Sequence, residues 1–289
     1  MESALAQALL YTLEAAPRSL AEWLGARYAG LLDLAVPRLR QTADRNLAFA
    51  YPGNDAAWRT RTIDGVYRSV GRLLVAFAKL PQINRENVGG WIRYEGFEHY
   101  QQAKARGKGV LFATAHLGNW ELSAYAHALL TEPMNVVVRP LDNQVLDEFV
   151  EARRSLSGNR LLSKRDYARS ILRALRDNEP VGILVDQNWS ADTGVFVPFF
   201  GVPACSNLTF ARMAFRSGAA VIPGFAVWKA DERKYVLRFY PEVEMTGDGA
   251  EDTARIQASV ETAVREFPDQ WLWIHRRWKT RPEGSPSLY

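Results

Sequence analysis

His116 and Glu121 stand five residues apart in the run HLGNWE, directly after the apolar stretch VLFATA. A histidine near its ordinary pKa can take a proton from a hydroxyl, and a carboxylate beside it fixes the tautomer and stabilises the imidazolium. On one continuous helix this spacing is a rotation of about 500°, which leaves the two side chains roughly 140° apart. The pair therefore works only if a strand ends at His116, the chain turns at Leu117-Gly118, and Glu121 lies in the first turn of a helix. Gly118 permits that turn, and the positive end of the helix favours a carboxylate there. Backbone N–H groups near Gly118 and Asn119 would be available to a developing oxyanion. Spacing alone leaves a simpler alternative open, in which His116 caps the helix and Glu121 is only a good first-turn residue.

Three further segments carry candidate chemistry. Arg139, in VVVRPLDN, follows a strand end, and its guanidinium fork matches a phosphate or carboxylate. The basic residues Arg153, Arg154, Arg160, Lys164 and Arg165 downstream read as a solvated helix face or as an anion groove. Asp186 and Gln187 end the buried run VGILVDQ, at the edge where open α/β sheets bind ligands. VFVPFFGVPA, which follows, reads as an apolar loop, either a binding surface or a lid, and Arg212 lies on the next helix. Near the C-terminus, QWLWIHRRWKT mixes Trp271, Trp273 and Trp278 with Arg276, Arg277 and Lys279. Such a tail suits base stacking or a membrane interface. His275 within it reads as a packing or capping residue.

The elements that must position these groups change period along the chain. Residues 3–50 place apolar side chains at three- and four-residue intervals, with Pro17 and Pro37 as punctuation, and residues 57–79 form another helix. Beyond residue 91, short apolar runs alternate with amphipathic ones. Strands are expected at 91–94, 110–115, 134–138, 181–187, 219–228 and 234–240. Helices are expected at 97–106, 119–130, 144–156, 166–177, 208–218 and 253–267. This alternation predicts an α/β fold with a mostly parallel central sheet flanked by helices. The organisation expected is one domain over 1–289, with an N-terminal helical layer over 1–80 packed on the core or near a membrane, and an α/β catalytic core over 91–282.

Bulk properties narrow the function. The chain has 289 residues, 47% of them hydrophobic, ample for a sizeable core. A net charge of +4 is a mild basic excess, suited to anionic lipid or phosphorylated substrates rather than to specific nucleic-acid binding. The lone Cys205 allows no intrachain disulfide and no cysteine-based zinc site, which fits a reducing compartment; it reads as structural. No run reaches the roughly 18 apolar residues that a membrane span needs, and the N-terminus lacks the marks of a secretory signal. A P-loop, a dinucleotide-binding glycine fingerprint, a GxSxG elbow and an HExxH motif are all missing from the sequence.

Taken in order, HLGNWE, VVVRPLDN, VDQN with VPFFGVPA, ARMAFRSGAAVIP and QWLWIHRRWKTRP resemble the bacterial lipid A late acyltransferase family, within the lysophospholipid acyltransferase superfamily. The resemblance runs from about Arg45 to Pro282, and His116 to Glu121 matches that family's HxxxxD/E signature. It implies transfer of a fatty acyl group from an acyl-carrier protein or acyl-CoA thioester to a hydroxyl of a lipid A precursor or related glycolipid. His116 would be the general base and Glu121 would orient it. Arg139, Arg160 and Arg212, with Asp186, Gln187 and Asn119, would bind substrate. No metal and no cofactor beyond the donor would be needed. A phosphatidylinositol mannoside or an aminolipid as acceptor, or a non-catalytic lipid-binding role, are the alternatives. Many members carry an N-terminal membrane-spanning helix. Here ALAQALLYTL and the helix after it are too short and too polar to span, so the resemblance implies peripheral contact with the cytoplasmic face of the inner membrane.

Overall fold

The computed structural model describes residues 2–163 and 167–289, so Lys164 and Arg165 of the basic cluster lie outside it. Four helices come first: α1 (Glu2–Ala15), α2 (Arg18–Ala35), α3 (Pro37–Ala50) and α4 (Ala56–Lys79). Pro17 precedes α2 and Pro37 opens α3, where a missing N–H costs nothing. Asp55 caps α4 by accepting from the Trp58 N–H at 2.7 Å. The helices pack through small residues. Ala21, Gly25 and Ala29 form the buried face of α2. A Cβ on Gly25 would lie 2.8 Å from the Gly71 carbonyl oxygen of α4. Lys79, at the end of α4, donates to the carbonyls of Glu14 and Ala16 at 2.5 and 2.6 Å and so ties down the end of α1.

The rest of the chain alternates. β1 (Ile92–Glu95), α5 (Phe97–Ala105), β2 (Val110–Thr114), α6 (Trp120–Leu130), β3 (Asn135–Val138), α7 (Gln144–Ser155), β4 (Arg160–Ser163), α8 (Tyr167–Arg176) and β5 (Pro180–Leu184) follow in turn. Then come the hairpin strands β6 (Gly194–Phe199) and β7 (Val202–Asn207), α9 (Leu208–Ser217), β8 (Ala220–Lys229), β9 (Lys234–Phe239) and α10 (Gly249–Glu266). Seven strands form one sheet in the order β1-β9-β8-β2-β5-β3-β4. Every neighbouring pair is parallel except β8–β9. The expected α/β class is the observed one. β2 shows why its run is apolar throughout: Val110 and Phe112 pack on one side with Leu122 and Tyr125 of α6, Leu111 and Ala113 on the other with Ile171 of α8 and Phe210 of α9.

Three expectations need correction. VFVPFFGVPA is no loop: it is most of the β6–β7 hairpin, turned at Phe200-Gly201, with Phe199 and Phe200 buried. Pro198 and Pro203 face each other in that two-stranded ribbon, where a missing ladder donor is tolerated. α10 begins at Gly249 rather than 253, because Asp248 caps it by accepting from the Ala250 and Glu251 N–H groups at 2.8 and 3.0 Å. The tryptophan-rich tail is no exposed surface either, since Trp271, Trp273, Trp278 and Arg277 are all buried. Arg277 donates to the Cys205 carbonyl at 2.7 Å, the Ser206 hydroxyl at 2.6 Å and the Gln257 side chain at 3.0 Å. Burial pushes its pKa down to about 10. The tail thus locks β7 to α10.

Candidate active site

The register of two neighbouring strands builds the site. β2 and β5 pair in parallel with Thr114 opposite Leu184. The Val185 N–H donates to the Thr114 carbonyl at 2.9 Å and carries the pairing one residue further. His116 lies two residues past Thr114, and Asp186 two residues past Leu184, so equal steps from matched strand ends bring the two side chains abreast. His116 Nδ1 is 2.9 Å from Asp186 Oδ1, and the backbone N–H of His116 donates to Oδ2 at 2.8 Å. Trp271 completes the shell by donating its indole N–H to Oδ2 at 2.8 Å.

These bonds decide the tautomer. An ionised carboxylate only accepts, so Nδ1 carries the proton and Nε2 keeps its lone pair. Burial alone would raise the pKa of Asp186, but the imidazole and the N–H donors hold it down to about 2. Burial also works against a charged His116, yet the Asp186 carboxylate, with a smaller push from Glu121, outweighs it and lifts the imidazole above its ordinary value. The side chain of His116 is 13% exposed, against 2% for Asp186. Gln187 Nε2 lies 3.3 Å from His116 Nε2, on the open side of the ring.

The turn after His116 has the predicted form. Gly118 has φ +65°, and a Cβ there would sit 1.9 Å from the Ala226 carbonyl oxygen of β8. Both requirements exclude any other residue. The C-terminal segment grips this turn: the Leu272 N–H donates to the His116 carbonyl and the Gly118 N–H to the Gln270 carbonyl, both at 3.0 Å. The Asn119 N–H donates to the Ala226 carbonyl at 2.8 Å. The N–H groups of Gly118 and Asn119 are therefore occupied, which corrects the expectation that they face an oxyanion. Asn119 itself is fully buried and caps α6 by accepting from the Leu122 N–H at 2.9 Å. Beyond it, the N–H groups of Trp120 and Glu121 make no hydrogen bond among the described residues, as the first donors of a helix normally do not.

Glu121 is in the first turn of α6, as expected, but it does not bond His116. Arg154 of α7 takes both of its carboxylate oxygens, at 2.9 and 2.6 Å. Orientation of the imidazole falls instead to Asp186, which the sequence had suggested as a substrate contact. The reason is geometric: the strand partner is already level with Nδ1, while the helix turns Glu121 toward α7. Glu121 and Arg154 still share a cavity with His116. That cavity measures about 810 Å³. Its lining includes the polar and charged groups of His116, Glu121, Arg139, Arg154 and Gln187. The remaining wall is mostly apolar and includes Leu80, Phe112, Tyr125, Met134, Leu237 and Phe239.

The other expected residues divide. Arg139 lines the cavity and is largely exposed, with Asp142 at 3.9 Å as its one ion partner among the described residues. Arg160 lies outside it, paired with Glu179 at 2.8 Å, and Arg212 is exposed on α9, also outside. His275, expected in a packing or capping role, bonds a loop: its Nε2 accepts from the Asn188 N–H at 3.2 Å. Burial pushes its pKa down to about 4. Sequence reasoning missed Arg154 as the partner of Glu121 and Trp271 as a donor to Asp186. Their separations of 33 and 85 residues leave no local signal. Among the described residues no group of histidine, cysteine and acidic side chains is arranged to hold a metal ion.

Residues 3–280 match the family model described as bacterial lipid A biosynthesis acyltransferase. The chain is 32% identical over 270 residues to the lipid A biosynthesis palmitoleoyltransferase of Escherichia coli strain K12, covering 92% of this chain and 87% of that one. It is 31% identical to the lipid A biosynthesis lauroyltransferase of the same strain, over 90% of this chain and 86% of the relative. A lipid A biosynthesis acyltransferase of Haemophilus influenzae is 26% identical over 86% of this chain and 78% of its own length.

Proposed function

We propose one reaction for this chain, which belongs to the bacterial lipid A biosynthesis acyltransferase family and is therefore an acyltransferase. A fatty acyl group passes from a thioester, on acyl-carrier protein or coenzyme A, to a hydroxyl of a lipid A precursor. The observation that carries this reading is the imidazole itself. Asp186 fixes its tautomer, and its Nε2, 3.3 Å from the Gln187 amide nitrogen, holds the lone pair that can take a proton, beside a cavity whose apolar wall suits a hydrocarbon chain.

The hydroxyl proton moves to Nε2 as its oxygen attacks the thioester carbonyl. Asp186 stays ionised and stabilises the imidazolium that forms. The tetrahedral intermediate collapses with cleavage of the C–S bond, and the imidazolium returns the proton to the departing thiolate. A thioester is already activated, so no covalent enzyme intermediate is required. In this reading the unbonded N–H groups of Trp120 and Glu121, at the positive end of α6, meet the oxyanion, and the Gln187 amide gives up Nε2 to the hydroxyl. Arg139 supplies charge for phosphates of the acceptor or donor, and the neutral Glu121–Arg154 pair supplies polar wall beside them.

Such an acceptor lies in a membrane, and contact with the cytoplasmic face of the inner membrane is part of the proposal. No helix among the described residues is long and apolar enough to cross a membrane. α2, however, has its amphipathicity inverted. Its small residues are buried, while Leu20, Trp23, Leu31 and Leu34 point outward at 47, 54, 62 and 80% exposure. Arg27 lies in the same stripe, 5.2 Å from the Trp23 ring. An interfacial helix presents such a face to lipid.

The test incubates the purified protein with labelled acyl-carrier protein and acyl-CoA and a panel of acceptors in vesicles. Mass spectrometry should find the acyl group on the lipid A precursor. Transfer only to a phosphatidylinositol mannoside or an ornithine lipid, or to no acceptor, overturns the reading.

A further inference from the structure

Asp186 lies just past the end of β5, and three donors hold its carboxylate. Two come from His116, Nδ1 on Oδ1 and the backbone N–H on Oδ2, so both move with the strand end that carries the base. The third comes from a distant part of the chain: the indole N–H of Trp271 donates to Oδ2 at 2.8 Å. Other donors nearby are engaged elsewhere. Arg277 bonds Cys205, Ser206 and Gln257, and His275 Nε2 accepts from the Asn188 N–H. Among the described residues Trp271 is thus the one donor to Asp186 from outside His116.

Trp271 belongs to a short run, residues 270–272, that reaches three consecutive strands of the sheet, β8, β2 and β5. On β8, the Gln270 side chain accepts from the Trp228 N–H at 2.7 Å and donates to the Trp228 carbonyl at 3.2 Å. Past the end of β2, the Gln270 carbonyl accepts from the Gly118 N–H and the Leu272 N–H donates to the His116 carbonyl, both at 3.0 Å. Past the end of β5, the indole reaches Asp186. The ring is 1% exposed and packs edge-on against Trp273 and Phe199, with centroids 4.6 and 5.6 Å away. Packing of that density holds the N–H in one direction. One short run therefore grips the backbone of the base and the carboxylate that serves it.

We propose that Trp271 is a positioning residue for acyl transfer: its indole N–H fixes the rotation of the Asp186 carboxylate, and so the aim of His116 Nε2 at the hydroxyl. This rests on the acyl-transfer reading above, with Asp186 as the partner of His116, and adds a tryptophan 85 residues further along the chain. Without the N–H, Oδ2 keeps only the His116 backbone donor. The carboxylate can then turn about its Cβ–Cγ bond, and Oδ1 no longer faces Nδ1 squarely. A misplacement of about 1 Å at a reacting group can cost about 10²-fold in rate. Trp271 is not among the described residues that line the cavity, so its loss should appear in kcat and spare KM.

The experiment measures transfer of a radiolabelled acyl group, from acyl-carrier protein or acyl-CoA, to the lipid A precursor in vesicles. It uses the full chain with Trp271→Phe and with β-(3-benzothienyl)alanine at position 271, each made in wild type and in Asp186→Ala. Phenylalanine loses the N–H and part of the ring. The benzothienyl analogue keeps the bicyclic shape and puts sulfur in place of the N–H, so it keeps the packing and the melting temperature. With the analogue, kcat should fall about tenfold or more while KM for either substrate stays within about twofold. In Asp186→Ala the analogue should change kcat by less than about twofold, because the carboxylate through which the indole acts is gone. A wild-type kcat with the analogue overturns the proposal, and a loss confined to Trp271→Phe then marks the ring as packing alone. An equal fold-loss in both backgrounds overturns it as well, and so does a rise in KM at unchanged kcat. Full kcat in Asp186→Ala itself sinks the pairing with His116 on which the proposal rests. A wild type inactive with both donors sinks the acyl-transfer reading.

Discussion

Two acid–base pairs face the same cavity and are built differently. His116–Asp186 joins the ends of neighbouring parallel strands, and its carboxylate is 2% exposed and receives three N–H donors. Glu121–Arg154 joins the first turn of α6 to α7, as a two-pronged ion pair whose side chains are 11 and 23% exposed. The first pair contains an imidazole, a group that can take up and release a proton; the second joins a carboxylate to a guanidinium. A proton can be moved by the first, and charge can only be held by the second. Both share the HLGNWE run, so spacing offers Glu121 as a partner for His116, while the hydrogen bonds join His116 to Asp186 and Glu121 to Arg154.

Mutations should separate the two pairs. His116→Ala removes the base and should lower kcat by about 10³- to 10⁴-fold, with thermal unfolding close to wild type. Asp186→Asn keeps the shape and loses the charge and the fixed tautomer. It should cost about 10²- to 10³-fold in kcat; a loss below tenfold would take Asp186 out of the mechanism. Glu121→Gln leaves Arg154 without its partner inside the cavity. Its effect should be smaller, about tenfold, and should fall on KM for the phosphorylated substrate rather than on kcat. A loss in kcat as large as that of Asp186→Asn would erase the distinction drawn here.

The smallest effect is on stability. His127 is buried and His275 half-buried, and this removal from water holds each at about pKa 4. The unfolded chain binds protons below roughly 6.5 that these two folded sites refuse, so stability falls as pH drops from there toward 4. His116 has the opposite sign, since its raised pKa adds stability at low pH that is lost as pH rises. Melting temperatures between pH 7 and 4 should therefore decline in wild type. The decline should be shallower in His275→Gln, and equal slopes would contradict this account.

Much of the site was legible in the residues. VLFATA and VGILV are unbroken apolar runs, which marks strands buried on both faces, and it marks His116 and Asp186 as residues at strand ends. Gly118 was legible as a turn, because spacing required one. The pairing across the sheet was not, because no local pattern says that β2 and β5 are neighbours with Thr114 opposite Leu184. The same limit hid Arg154 from Glu121. The β6–β7 hairpin was misread for another reason: Pro198, Gly201 and Pro203 are loop residues by propensity, and a short ribbon tolerates them where a central strand would not. The C-terminal tryptophans looked like a surface because arginine and lysine flank them. Arg277 is instead satisfied inside, on Cys205, Ser206 and Gln257.

The pH dependence of kcat/KM in wild type, Asp186→Asn and Glu121→Gln tests most directly which carboxylate serves His116. This profile reports the free enzyme, and its acid limb reports the loss of neutral His116. Asp186 holds the imidazole pKa up, so its loss should shift the acid limb to lower pH by about one unit or more, on a much lower plateau. Glu121→Gln should leave the limb close to its wild-type position. A limb that moves in Glu121→Gln and stays in place in Asp186→Asn would contradict the account.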